Sequence, residues 1–388
     1  MSPTKKLKIA IATAGRFHVL DLARELSALG HDVRFYSYVP KGRACRYGLP
    51  DKCHVSLLPY VAPLFFLERL LGRRTPRWVY RGINLIMDEV VSLMLEPCDV
   101  FIGMSGIYLK ALRVARDKYH ARVIVERGSR HILSQLEILS RLPGCLTPGQ
   151  FEVTREMSAY EHADLVVIPA KHVRESFLER GFPPERLFQN PYGVNVSGFT
   201  PGRRTTVGQA PVAIFVGNWG QGKGADVVIA AVRAIKNLKL LHVGPLGDVA
   251  FPEEAQFVHH DPVDQLRLVD FYRQADISLL PSRAEGLALV QAQALASGLP
   301  LVCTDRTGGE DLMEMIEHPE AVISVERDNV PALKDGISRA LEVARQLNGV
   351  DLLGQRGRLA LSWAAYGKRY EERLAGLDGV KKDPMRVL

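Results

Sequence analysis

The sequence predicts an α/β protein built on parallel sheets. Three observations carry that prediction. Short apolar runs of strand length alternate with segments of helical period along the whole chain. Glycine-containing turns follow several of these runs, at Gly15, at Gly103 and in 217–224. A length of 388 residues accommodates two domains, each with a full core.

Taken in order, residues 8–12 read as a first buried strand and Thr13-Ala14-Gly15 as a tight turn. Leu20, Ala23, Leu26 and Leu29 then mark one face of a helix, and 32–37 a second strand. With a single glycine in the turn, this Rossmann-like opening is not a dinucleotide fingerprint. Residues 57–71 are apolar, with Pro59 and Pro63 inside them. Arg69, Arg73, Arg74, Arg77 and Arg81 follow, with Trp78 and Tyr80 among them. Two readings stand: an amphipathic helix with solvated arginines, or a segment lying on an anionic membrane surface.

Residues 98–103 and 122–126 are further strands. Glu126, Arg127, Arg130 and His131 fall at the carboxyl end of the second one, where open parallel sheets bind ligands. No local spacing decides among them. Residues 164–168 form another strand, and 200–211, rich in Gly, Arg, Thr and Pro, read as a linker. Residues 212–216 then run into 217–224, which holds four glycines in eight residues beside Lys223. Such a loop lets backbone approach a phosphate closely. It is not a P-loop, because Gly224 follows Lys223.

The most informative stretch is 281–309. A buried strand ends at Pro281, Glu285 and Gly286 open a helix, Gly298 caps it, and a second strand runs over 299–304. Glu285 therefore lies beside a helix N-terminus, whose free N–H groups favour an anion. A carboxylate next to an anion site suits a ligand with hydroxyls beside phosphate, such as a nucleotide-sugar.

Composition limits the alternatives. Apolar residues make 47% and charged residues 24% of the chain, a globular balance, and the net charge of +7 points to an anionic partner. No nucleic-acid-binding signature is present. Five cysteines without a C-x-x-C pair predict a reducing cytosol rather than disulfides or zinc. No apolar stretch approaches the roughly 20 residues of a spanning helix, so a cytoplasmic protein is expected, peripheral at most on the inner face of a membrane.

Pro281-Ser282, Glu285-Gly286, Ala294-Leu295-Ala296-Ser297-Gly298 and Pro300 resemble, in register, the E-x7-E segment of retaining glycosyltransferases of family 4, which have the GT-B fold. Asn190-Pro191-Tyr192-Gly193-Val194-Asn195 is similar to that family's junction between domains, and 217–224 to its Gly-Arg-x-x-x-x-Lys-Gly loop. The resemblance implies two Rossmann-like domains facing a cleft. These are an acceptor-binding domain over 1–195, a donor-binding domain over 196–362, and a crossover helix and tail over 363–388. It implies a metal-independent, retaining hexosyltransferase using a UDP-, GDP- or similar nucleotide-sugar, with no cofactor and a saccharide or lipid-linked acceptor, in glycoconjugate or polysaccharide biosynthesis. No Asp-x-Asp pair suggests a metal clamp.

Carried over by position, Glu285 and Gly286 contact the donor sugar. Gly15, Asn218, Lys223 and the backbone of Leu287, Ala288 and Leu289 face the diphosphate, and Gln293 faces the ribose. His131 is the N-terminal-domain candidate for the sugar, with Glu126 as the alternative. The chain departs from the pattern twice: Gln293 stands where the family has the second Glu, and Asn218 where it has Arg. These departures keep open a catalytically weak GT-B protein that binds a nucleotide-sugar or scaffolds a partner. A GT-B sugar-nucleotide epimerase is a further alternative, though such enzymes lack the combination of Glu285-Gly286 with Ser297-Gly298.

Overall fold

The computed structural model of the protein describes residues 5–72, 75–202 and 210–377. Arg73, Arg74 and residues 203–209 of the expected linker lie outside the described residues. Two all-parallel sheets organise the chain. Seven strands form the first: β1 (Lys8–Ala12), β2 (Asp32–Ser37), β3 (His54–Ser56), β4 (Val100–Met104), β5 (Arg122–Glu126), β6 (Leu165–Ile168) and β7 (Leu187–Gln189). Their spatial order is β3-β2-β1-β4-β5-β6-β7. Six form the second: β8 (Val212–Val216), β9 (Lys239–Val243), β10 (Phe257–His260), β11 (Ile277–Leu280), β12 (Leu301–Thr304) and β13 (Val322–Val325), in the order β10-β9-β8-β11-β12-β13.

The inner strands are apolar throughout because helices cover both faces of each sheet. Ile9, Ile11, Ile102 and Ile124 pack on one side of the first sheet, and Ala10, Phe101, Val123 and Val166 on the other. The strand order reverses at β1/β4 and again at β8/β11, so each domain opens its crevice at the carboxyl end of those strands.

Two chain crossings join the domains, and two arginines bind them together. Arg358 donates to the carbonyls of Val196 (2.9 Å) and Phe199 (3.0 Å). Arg369 donates to Asn190 Oδ1 and the Pro191 carbonyl, both at 2.7 Å. The helix Trp363–Leu377 thereby returns onto the first domain and packs along His18–Ala28. Gly193 gives it room: a Cβ there would stand 2.6 Å from Trp363.

Some expectations needed correction. The first helix ends at Ala28, and Leu29, read as part of its buried face, is its 40% exposed C-cap. Leu58–Leu71 and Arg77–Met94 are two packed helices. The second buries Val79, Ile83, Met87 and Val91 at four-residue spacing. Asp88, on the same helix, accepts the backbone N–H groups of Leu109 (3.1 Å), Lys110 (2.9 Å) and Ala111 (2.9 Å), and so caps Lys110–Tyr119 from a distance.

Away from the crossings, Asp311 latches the domains. It is buried, and it accepts from the Lys171 backbone N–H (3.0 Å) and Gln189 Nε2 (2.8 Å). Burial pushes its carboxyl up from 3.8 to about 6. A raised carboxyl keeps in the folded state a proton that the unfolded chain gives up, so its effect on stability worsens as pH rises from about 4 through 6. Asp311→Asn keeps the shape without the charge. It is expected to gain about 1–3 kcal/mol over the wild type at pH 7.5, with the gain gone by about pH 4. Urea unfolding at both pH values checks this; equal differences at the two would refute it.

Candidate active site

Lys223 and Glu285 come from two different loops. The glycine-rich segment after β8 folds into a single tight turn, Gln221–Lys223, which leads into the helix Ala225–Arg233. The segment after β11 stays irregular until the helix Leu289–Ala296 begins. The helix expected to open at Glu285 therefore starts later, and Glu285 and Gly286 lie in the loop before it. Apolar Leu287 and Ala288 carry the chain into the first turn.

Arg283 binds the two loops together. It is buried and forks onto Asp226 (2.7 and 2.8 Å), reaches Asp328 (2.5 Å), and donates to the Gln221 carbonyl. Its own N–H bonds the Gly222 carbonyl at 3.0 Å. The carboxylates outweigh burial and hold its guanidinium above the ordinary value. Sequence reasoning missed Arg283, because its partners lie 57 and 45 residues away.

Lys223 Nζ and the Glu285 carboxylate are in direct contact as an ion pair. Burial pulls the Lys223 ammonium down to about 8, while the adjacent carboxylate favours its charged form. From the first domain, His172 Nε2 donates to the Glu285 carbonyl at 3.1 Å. Burial holds His172 down to about 4, so it is a neutral donor at pH 7. Gly286 packs so tightly on the Gly128 carbonyl that a Cβ would overlap it.

Between the domains lies a cavity of about 1520 Å³. Glu285, Leu287 and Leu289 line it from the second domain, and His18, Arg127 and Gly128 from the first. His18 is the functional candidate that the sequence did not offer. It bonds Glu126 (2.9 Å) and packs on Tyr192 (4.2 Å between ring centres). Glu126 itself is buried, held by His18 and by the Tyr370 hydroxyl (2.8 Å) from the returning helix.

The structure does not bring His131 to the cavity. His131 caps the helix Ile132–Ser140, accepting the Leu133 N–H at Nδ1 (3.3 Å), and packs among Tyr160 and Phe177. Burial, helped by the charges of Arg127 and Arg180, brings it down to about 4. The expected sugar contact there is corrected to a structural cap. Arg127 reaches the cavity but is spent on Glu156, Gln135 and the Arg130 carbonyl, and Arg130 is buried against the His172 carbonyl. Gly15 sits buried in the turn preceding Arg16, and Asn218 is exposed on the phosphate-loop side. Gln293 is buried on its helix with Oε1 unpartnered.

Two neighbouring glycines separate backbone demand from mere looseness. Gly224 has φ +77°, and a Cβ there would overlap the Pro281 carbonyl. Around Gly222 the nearest atoms, Cys145 Sγ and Leu139 Cδ2, stand 3.8 Å from such a Cβ. Gly224→Ala is expected to cost about 1–3 kcal/mol and to weaken nucleotide-sugar binding. Gly222→Ala should change stability by less than about 0.5 kcal/mol. Thermal unfolding and calorimetric titration check the contrast, and equal effects at the two positions refute it.

Comparison with known proteins fits this geometry. The family described as "Glycosyl transferases group 1" matches residues 210–343, and the "Glycosyl transferase 4-like domain" matches residues 14–193. The D-inositol 3-phosphate glycosyltransferase of Acidothermus cellulolyticus is 26% identical over 403 aligned positions, covering 95% of this chain and 85% of that protein. The protein of the same name from Xylanimonas cellulosilytica is 27% identical over 199 positions, 44% of this chain and about half, 48%, of that protein. Among solved structures, sucrose-phosphate synthase from Thermosynechococcus elongatus superposes with a TM-score of 0.70 at 17% identity, over 97% of this chain and 100% of that one. HepE from Anabaena, in complex with UDP-glucose, gives 0.65 at 14% identity, over 95% and 100%. At those identities the likeness is one of fold. With one domain matched on each side of the cavity, the chain belongs to the group 1 glycosyltransferases of family 4 and has their GT-B fold.

Proposed function

We propose that this protein transfers a sugar from a nucleotide-diphosphate sugar to an acceptor hydroxyl with retention of anomeric configuration. The observation that carries the reading is the Lys223–Glu285 pair. It stands at the carboxyl ends of the second sheet, beside the interdomain cavity and against the Gly128 backbone of the opposite domain. As the bond from sugar to phosphate breaks, negative charge grows on the diphosphate. Lys223 and the N–H groups of Leu287, Ala288 and Leu289 stabilise it where it develops. Glu285, released from Lys223 by the incoming phosphates, holds the sugar hydroxyls. Gln293 offers its unpartnered Oε1 to the ribose. The leaving phosphate takes the acceptor proton on the same face. With Lys223 supplying the positive charge, the reaction runs without a metal ion. The acceptor lies toward the first domain. The relatives' names support a polyol or sugar carrying phosphate, and a lipid-linked acceptor is the wider class.

The experiment is binding and turnover across a panel of nucleotide-sugars, with EDTA present. Glu285→Ala and Lys223→Ala are each expected to lower turnover by about 10²–10³-fold. A donor that binds but yields no product with any acceptor favours the second reading, a nucleotide-sugar-binding protein, which Asn218 and Gln293 support.

Residues 58–94 bear on where the reaction takes place. Among the described residues no helix is long and apolar enough to cross a membrane. Phe66 (66% exposed), Leu70 (67%) and Trp78 (57%) nevertheless face outward near Arg69 and Arg77. The reading is a cytoplasmic enzyme, peripheral on an anionic surface by this edge. Vesicles rich in phosphatidylserine should sediment the protein at low salt and release it at high salt. Protein wholly in the supernatant at low salt would sink this part of the reading.

A further inference from the structure

The interdomain cavity is lined by six arginines and three carboxylates, and most of these charges are already committed. Arg24 is held by Asp21 (2.6 Å) and the Tyr47 carbonyl (2.9 Å). Arg127 is taken by Glu156, and Arg358 by Asp351 (2.5 Å) and the Val196 carbonyl. Glu285 pairs with Lys223. Arg16 lies 3.6 Å above the Tyr47 ring and 4.0 Å from the already shared Asp21.

Arg43 and Arg46 differ. Both belong to the helix Lys41–Arg46, which follows β2 at the carboxyl end of the first sheet. Both are exposed and line the cavity, and among the described residues neither guanidinium has an ion-pair or hydrogen-bond partner. Lys41 on the same helix is paired with Asp51 (2.8 Å). Three residues apart on one helical face, the two guanidiniums repel each other unless an anion lies between them. A planar fork fits phosphate oxygens in pairs.

We infer that Arg43 and Arg46, with Arg16 beside them, form a subsite for a phosphate group on the acceptor, separate from the donor diphosphate at Lys223. The subsite deepens the transferase reading and rests on it. It selects acceptors that carry a phosphate away from the reacting hydroxyl. The same chemistry is offered by a soluble sugar or polyol phosphate and by a phospholipid headgroup.

The test compares wild type with Arg43→Gln, Arg46→Gln and the double variant. Acceptors are inositol phosphate against inositol, fructose 6-phosphate against fructose, and phosphatidylinositol vesicles. The phosphorylated member of the favoured pair is expected to be preferred. Its KM should rise about tenfold or more in the double variant, with donor KM unmoved. Added salt should raise the wild-type acceptor KM and leave the variant's flat. Preference for a soluble phosphate or for the vesicles names the source. A KM that is unchanged, that rises equally for the neutral acceptors, or that moves for the donor instead overturns the subsite. Calorimetric binding of the same phosphates without donor separates the two claims. If no donor is turned over, yet phosphate binding is lost in the double variant, the transferase reading falls and with it the acceptor role, leaving Arg43 and Arg46 as a phosphate site only.

Discussion

Everything in the cleft depends on one loop, 281–288, being held from both domains at once. Arg283 ties its near end to Gln221 and Asp226 in the second domain. His172 of the first domain holds its Glu285 carbonyl, and Gly286 lies against the Gly128 backbone. An irregular loop of this length would otherwise carry a large conformational entropy. Fixing both ends orders it, and the ordering delivers a carboxylate to Lys223. A polar loop at a domain junction also needs partners for its backbone, and a neutral imidazole is a donor that asks for no counter-ion.

The returning helix extends that dependence to the other wall. Tyr370 reaches Glu126, and Glu126 orients His18 at the cavity edge. A residue near the C-terminus thus sets a side chain near the N-terminus, through a carboxylate at the end of β5. Arg358 and Arg369 bind the two crossings through carbonyl oxygens, while Asp351 holds the Arg358 Nε, so their grip is directional. Apolar packing alone would let the domains slide, whereas fork-shaped donors on fixed carbonyls define an angle.

The features that could be read from the sequence are local. Strand β11, the glycines around Lys223 and the helix 289–296 each follow from a pattern within about a dozen residues, and such patterns survive folding. The start of that helix is not legible locally, because the contacts of Gly286 and the Glu285 carbonyl are made across the cleft, and they hold the segment out of helical conformation. His131 and His18 show the same limit from both sides. One lies in the expected loop but turns inward to cap a helix. The other opens the first helix, with no motif around it, but faces the cavity, because Tyr192 and Glu126, 108 residues from it in the latter case, meet it there. Arg283 carried no local signal, since its meaning lies in two aspartates from other elements.

The departure at Gln293 follows from burial. The residue is 3% exposed, and its side-chain oxygen has no partner. A carboxylate in that place would face the desolvation cost of a buried charge. The amide avoids most of that cost and keeps an acceptor and two donors for hydroxyl groups. What it gives up is the charge-assisted part of the bond. In the proposed reaction that loss falls on a group remote from the breaking bond, so it weakens donor binding in ground and transition states alike and leaves the chemical step to Lys223 and Glu285.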